Sequence, residues 1–325
     1  MADFKIAVAV SLMRKTAPFL AFRLAVYFGV AFAYVLVTGI GAGIGYGIGG
    51  FWGDESQLAG SAYGGLAGFG LTAAAMYLLR EYLLYIVKAG HIAVMVELLL
   101  GRDIPQGQGQ IGYARAMVTQ RFGTSNLLFA LDQLIKGVIG AVTRLLEGVF
   151  ASLPIPGVAP LAALLRAYLR IAVGLLDEVI LAQGFAAPHQ DPRQTSRDAL
   201  ALYAQTAKPM LKNAVWVTGL VWALTLAVFF VMLAPAGLIV WLLPGQVSAT
   251  GLVFAAVFAW AVKAAVIEPF ALACMLQAYF ALTAGQSPDP VWVARLDQAS
   301  SKFKSLGQWA TTATPRPHKT AGTSA

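Results

Sequence analysis

A chain of 325 residues with 58% hydrophobic side chains, only 12% charged ones and a mean hydropathy of +0.70 is too apolar for an ordinary water-soluble protein and belongs in a lipid bilayer. Its single cysteine, Cys274, excludes an internal disulfide framework and a cysteine-cluster metal site, and three scattered histidines leave little for other metal chemistry. The net charge of +8 is not laid out as a basic stripe among aromatics, so the expected partners are membrane lipids and not nucleic acid.

In chain order, residues 1–23 carry Lys5, Arg14, Lys15 and Arg23 and read as a cytoplasmic N-terminus. The apolar stretch in Met1 to Ala17 is too short, and too closely followed by basic residues, for a secretory signal. A helix needs roughly 20 apolar residues to cross the hydrocarbon core. Two such runs, about Leu24 to Gly50 and Leu58 to Leu79, form a first hairpin over residues 24–79, and the turn between them holds Asp54 and Glu55 but no basic residue. Gly39, Gly43 and Gly47 lie four apart on the first run, as do Gly41, Gly45 and Gly49. Gly60, Gly64 and Gly68 repeat the spacing on the second. Glycines four apart leave a helix face without side chains, so another backbone can approach, and the second run is the natural partner. The alternative is a glycine-lined conduit. Gly45, Gly47 and Gly50 also satisfy a G-x-G-x-x-G spacing, but no strand precedes them, so a dinucleotide site is not expected.

Residues 80–213 are less apolar and read as a cytoplasmic or interfacial amphipathic region. Leu128, Leu131, Ile135, Val138, Val142, Leu145 and Val149 recur by threes and fours on one stripe, which suits packing beneath other helices or, as the alternative, lying in the lipid interface. Beyond the breaks at Pro154, Pro156 and Pro160, Arg166, Arg170 and Asp177 share one helix face opposite Leu165, Leu169 and Leu176, and Glu178 adds a fourth charge that argues against a crossing. Glu81, Lys88 and His91 fall on one helix face just after the first hairpin. A solvated face explains them, and a polar path reaching toward Glu268 is the functional alternative. The loop from Pro188 ends in a helix start at which Thr195 or Ser196 serves as cap.

A second hairpin spans residues 214–283, from Ala214 to about Leu243 and from Ala249 to Thr283, with an uncharged turn between. Residues 284–325 form a cytoplasmic tail. Every Lys or Arg except Lys263 then lies on, or at the boundary of, one side, which places both termini in the cytoplasm of a multi-pass inner-membrane protein. Thr16-Ala17-Pro18 before the first span and Thr206-Ala207-Lys208-Pro209 before the third suggest parallel repeats offset by about 190 residues. Lys263 and Glu268 are the charges well inside a predicted span, where ionisable groups are expensive enough to mark function; the alternative is that Lys263 snorkels toward an edge and Glu268 already sits at the cytoplasmic boundary of a run longer than one crossing. In a straight α-helix they stand about 140 degrees apart. Pro269 withholds the amide hydrogen that would bond the carbonyl of Ala265, so a kink is expected to free a backbone oxygen nearby.

Ser196, Arg197, Asp198 and Ala199, opening an amphipathic helix that leads into a hydrophobic hairpin, and Glu268 on the last helix of that hairpin, carry a resemblance to the carboxy-terminal part of choline transporter-like membrane proteins. It covers about a quarter of the chain, and that family has more membrane helices and cysteine-bearing extracellular loops. The resemblance implies transport. No nucleophile elbow, zinc-protease motif or phosphate loop is present, so neither an enzyme nor a cofactor is expected.

The expected molecule is therefore an all-α polytopic membrane protein, oligomeric, with a transport or channel-like pathway drawn from Lys263, Glu268, Pro269, Glu81, Lys88 and His91. The competing expectation is a non-transporting scaffold that binds lipid or a partner protein. A polar cavity reaching Glu268 favours the first, and a solid bundle the second.

Overall fold

The computed structural model describes residues 3–79, 84–105, 107–122, 138, 176–242 and 248–312. Helices account for nearly all of these residues, and no strand occurs among them. The chain divides into two compact units, residues 1–120 with 209–282, and residues 121–208 with 283–325.

The first unit holds the long apolar helices. After α1 (Ile6–Lys15), α2 runs over Ala17–Gly49, and a 3-10 turn at Gly50–Trp52 and Gly53 lead into α3 (Asp54–Leu79). Gly53, at φ 100, supplies a left-handed corner closed to other residues without strain, and Asp54 and Glu55 follow at the positive end of the α3 dipole. The fold continues with α4 (Tyr85–Leu99) and α5 (Gln110–Phe122). Among the described residues, three helical stretches are long and apolar enough to cross a membrane: Ala17–Trp52, Ala207–Trp241 and Gly251–Thr283. The remaining expected crossing, α3, has 26 residues and is not among these three.

The pairing of α2 with α3 is antiparallel and built on glycine. A methyl group at Gly41 would fall on the carbonyl of Gly64, one at Gly45 on that of Gly60, and one at Gly49 on that of Ser56. The partners descend as α2 ascends, so the two backbones touch along three helical turns. The face in contact is Gly41, Gly45 and Gly49. Gly43 and Gly47 meet nothing within 4 Å, and Gly39 is half-buried, so the Gly39, Gly43 and Gly47 row expected to pack is not the one against α3. Both rows have the same four-residue spacing, and only the direction in which α3 lies separates them.

The chain re-enters this unit in α8 (Ala207–Leu242), then α9 (Ser248–Val262), a π-helical turn at Lys263–Ile267, and α10 (Glu268–Thr283). The last three follow one another without interruption through Pro269. Tyr27 and Ala31 of α2, Ala236 of α8 and Phe254 and Phe258 of α9 make the buried core. Phe19, Val94, Tyr113 and Ala114 join α2, α4 and α5 in a second cluster. The N-terminus is pinned beside them: the Asn213 amide donates to the Asp3 carboxylate at 2.9 Å, and the Asp3 backbone amide donates to the Asn213 side chain at 2.7 Å.

The second unit contains α6 (Leu176–Ala186), α7 (Pro192–Gln205), α11 (Pro290–Ala299) and α12 (Ser301–Thr312). The helix α7 begins earlier than expected. Asp191, not Thr195 or Ser196, is its cap, accepting from the amides of Arg193 and Gln194 with Pro192 in the first turn. The hydroxyls of Thr195 and Ser196 instead turn back to the carbonyls of Asp191 and Pro192. Arg197 ties this unit together. It pairs with Asp297 at 2.7 Å, lies 5.1 Å from the Phe303 ring centre, and fills the space left by the missing side chain of Gly307. The stripe Leu128 to Val149 and most of the segment Val158 to Gln183 lie outside the described residues, apart from Val138, which is buried, and the start of α6.

The suggested repeat has a local counterpart. α1 ends at Thr16 and α7 at Thr206, with backbone angles of −93/14 and −100/14 degrees, and each hydroxyl donates to the carbonyl four residues back. A long apolar helix follows each joint.

Candidate functional site

Arg23 of α2 lies between His91 of α4 and the π-turn. The π-turn has a local cause. The Glu268 amide donates to the Lys263 carbonyl, five residues back, and no longer to that of Ala264. In the same wider register the Ala264 carbonyl would take its bond from residue 269, which is proline and has no N–H. Ala264 is left with an unclaimed backbone oxygen inside the protein, where an unsatisfied carbonyl is costly. The Arg23 guanidinium, only 2% exposed, supplies the missing donor through Nη2 at 2.5 Å. The sequence anticipated a freed oxygen near Pro269 and assigned it to Ala265; the one that receives Arg23 is Ala264, because the turn widens by one residue.

Arg23 makes further contacts. Its Nη1 stands 3.5 Å from Nδ1 of His91 on α4, and its guanidinium lies 5.5 Å from the centre of the Tyr27 ring. His91 is fully buried and stacks on Phe19, with ring centres 4.9 Å apart and planes within 9 degrees. Burial, and then the neighbouring Arg23 charge, hold the imidazole pKa well below its usual value, so the ring is neutral near pH 7. A neutral ring that accepts at Nδ1 carries its proton on Nε2, which has no hydrogen-bond partner among the described residues. The helix face of α4 at His91 is thus packed, not solvated. Lys88, one turn earlier, is half-buried and makes a contact of its own.

Lys263 and Glu268 form an ion pair, Nζ to Oε1 at 2.6 Å, with each side chain 33% exposed. The 140-degree separation expected for an α-helix does not apply across this turn. An i→i+5 hydrogen bond brings residues five apart onto one face, so the turn that frees the Ala264 oxygen also joins the two charges. Glu81 lies outside the described residues.

Arg23 is the residue that sequence reasoning placed at a membrane boundary and did not connect to the others. The available signal was its place in the row Phe19, Arg23, Tyr27 and Ala31, four residues apart and buried throughout, where an arginine among aromatics needs an acceptor.

Beside this cluster, α2, α3 and α9 line a laterally open cavity of about 500 Å³. Val30 and Tyr34 form one wall, Phe69, Ala73 and Met76 a second, and Val257 and Trp260 a third; no charged residue lines it. Tyr34 and Phe69 meet at 5.1 Å, and Trp260 meets Tyr27 at 5.6 Å, which puts the cavity one aromatic ring away from Arg23. Tyr77, 75% exposed, and Val253, 43% exposed, stand at its rim. A site of this size suits a small molecule. An apolar lining strips hydrated ions of nothing they can afford to lose, whereas a hydrocarbon chain enters without penalty.

The fold and this cluster define an α-helical protein with membrane-spanning helices. No protein-family model, no curated protein and no solved structure matches the chain. The residues of the choline transporter-like resemblance make local contacts: Arg197 with Asp297, Asp198 with Gln194, and Glu268 with Lys263. Among the described residues, no three His, Cys, Asp or Glu side chains are placed to hold a metal ion.

Proposed function

We propose that this membrane protein is a carrier for a lipophilic or amphipathic solute taken from the bilayer, with the cavity between α2, α3 and α9 as its binding site. The observation that carries this reading is the uncharged, aromatic-walled cavity of about 500 Å³, two of whose walls, α2 and α9, belong to helices apolar enough to cross a membrane. A path for hydrated ions needs polar groups to replace the hydration shell. Lys263 and Glu268, which neutralise each other, sit at the end of the cavity-lining helix and would meet the polar part of the solute. The π-turn between them is the flexible element, since such turns exchange register at low cost and recur at functional sites.

The test uses a fatty acid carrying a diazirine, photolysed with the purified protein in lipid vesicles. Saturable adducts on Met76 and Trp260, abolished by A256W, are expected. Adducts confined to lipid-facing residues such as Trp222 and Phe230 would remove the cavity from consideration. In the same vesicles, a fluorescent short-chain lipid is expected to change leaflets faster with the native protein than with A256W. Cavity adducts without such movement would instead identify a lipid-binding scaffold.

A further inference from the structure

The cavity has a chemically distinct end. Val253, Ala256, Val257 and Trp260 line it at the three- and four-residue intervals of one helix face, and the next position on that face is Lys263. Lys263 is thus the first polar group along the stripe, and the π-turn sets Glu268 beside it at 2.6 Å. Counted from Ser248 at the start of α9, Glu268 is 20 residues further along, about 30 Å at 1.5 Å per residue, which matches the thickness of the hydrocarbon core. The pair therefore stands at one end of a stretch of that length, with Lys263 three to ten residues beyond the cavity-lining positions Val253 to Trp260. Both charges are one-third exposed, in contrast to Arg23, which is sealed against the Ala264 carbonyl.

Resting on the carrier reading above, we propose that the occupant is a zwitterionic aminophospholipid, with an acyl chain in the cavity and its headgroup across the Lys263–Glu268 pair. Charge complementarity selects this class. The lipid phosphate exchanges onto the Lys263 ammonium and the lipid ammonium onto the Glu268 carboxylate, so one intramolecular ion pair becomes two intermolecular ones and no charge is left alone. An anionic lipid without an ammonium would strand Glu268, and a neutral diacylglycerol would satisfy neither group. The lipid reaches the site sideways from the bilayer, past Tyr77 and Val253.

The experiment is native mass spectrometry of the full-length protein with phosphatidylethanolamine, phosphatidylglycerol and diacylglycerol of identical acyl chains at equal concentration. The native protein is expected to retain phosphatidylethanolamine about tenfold over either competitor, the scale of one charge-assisted contact. E268Q is expected to reverse the preference toward phosphatidylglycerol. K263Q combined with E268Q, which leaves no unpaired charge to disturb folding, is expected to bind all three alike. Should the double variant not fold, K263E combined with E268K keeps the pair and is expected to retain the ethanolamine preference. An undiminished ethanolamine preference in E268Q or in the double neutral variant overturns the headgroup assignment and leaves the cavity standing. Equal binding of all three lipids by A256W and by the native protein overturns the cavity itself.

Discussion

Replacing Arg23 with methionine tests the link between the π-turn and the cluster. Methionine keeps much of the side-chain volume and removes the charge together with its desolvation cost, so the loss falls on the Ala264 carbonyl, the His91 Nδ1 contact and the contact with Tyr27. A buried backbone acceptor left without a donor costs about 1–3 kcal/mol, and the cation–π contact adds roughly 0.5–1. R23M is therefore expected to destabilise the first unit by about 1.5–4 kcal/mol, measured by thermal or denaturant unfolding in detergent with tryptophan fluorescence. The decisive measurement repeats R23M in a P269A background. Alanine restores an amide hydrogen at position 269, so the turn can close on its own carbonyls, and the same R23M change is expected to cost no more than about 1 kcal/mol. The coupling in the cycle is then about 1–3 kcal/mol. Equal costs in both backgrounds, within about 0.5 kcal/mol, would show that Arg23 does not serve an oxygen freed by Pro269.

The glycine faces separate cleanly by substitution. G45A drives a methyl into the Gly60 carbonyl and is expected to cost about 1–3 kcal/mol, as overpacking does, whereas G43A, with nothing within 4 Å, is expected to stay within about 0.5. Similar effects on melting from the two variants would refute the assigned face. His91 gives stability a pH dependence of defined sign. Its folded pKa is held well below the unfolded value of about 6.5, so the unfolded chain binds the extra proton, and stability is expected to fall as pH drops below about 6.5, by up to roughly 1.4 kcal/mol per pH unit. H91Q is expected to remove this slope between pH 7 and 5.5; a slope of the same size in H91Q would assign it to other groups.

The helical class and the apolar runs were legible because they are properties of the chain alone: hydropathy over 20 residues, and glycines at fixed intervals. The sequence likewise marked Lys263, Glu268 and Pro269, since charge and a missing amide are conspicuous in an apolar span wherever the rest of the protein lies. What the chain could not reveal is direction. Gly39, Gly43 and Gly47 are spaced like Gly41, Gly45 and Gly49, and the choice between them belongs to α3, whose carbonyls occupy the second face only. The 140 degrees between Lys263 and Glu268 follows from an ideal α-helix, and it failed because register is decided by hydrogen bonds that include a donor from elsewhere. That donor is Arg23, 241 residues from the carbonyl it satisfies. A backbone oxygen without its local partner is stable only where tertiary packing delivers another, so the site's central contact exists in the folded arrangement of α2 against the π-turn and nowhere in the linear order of residues.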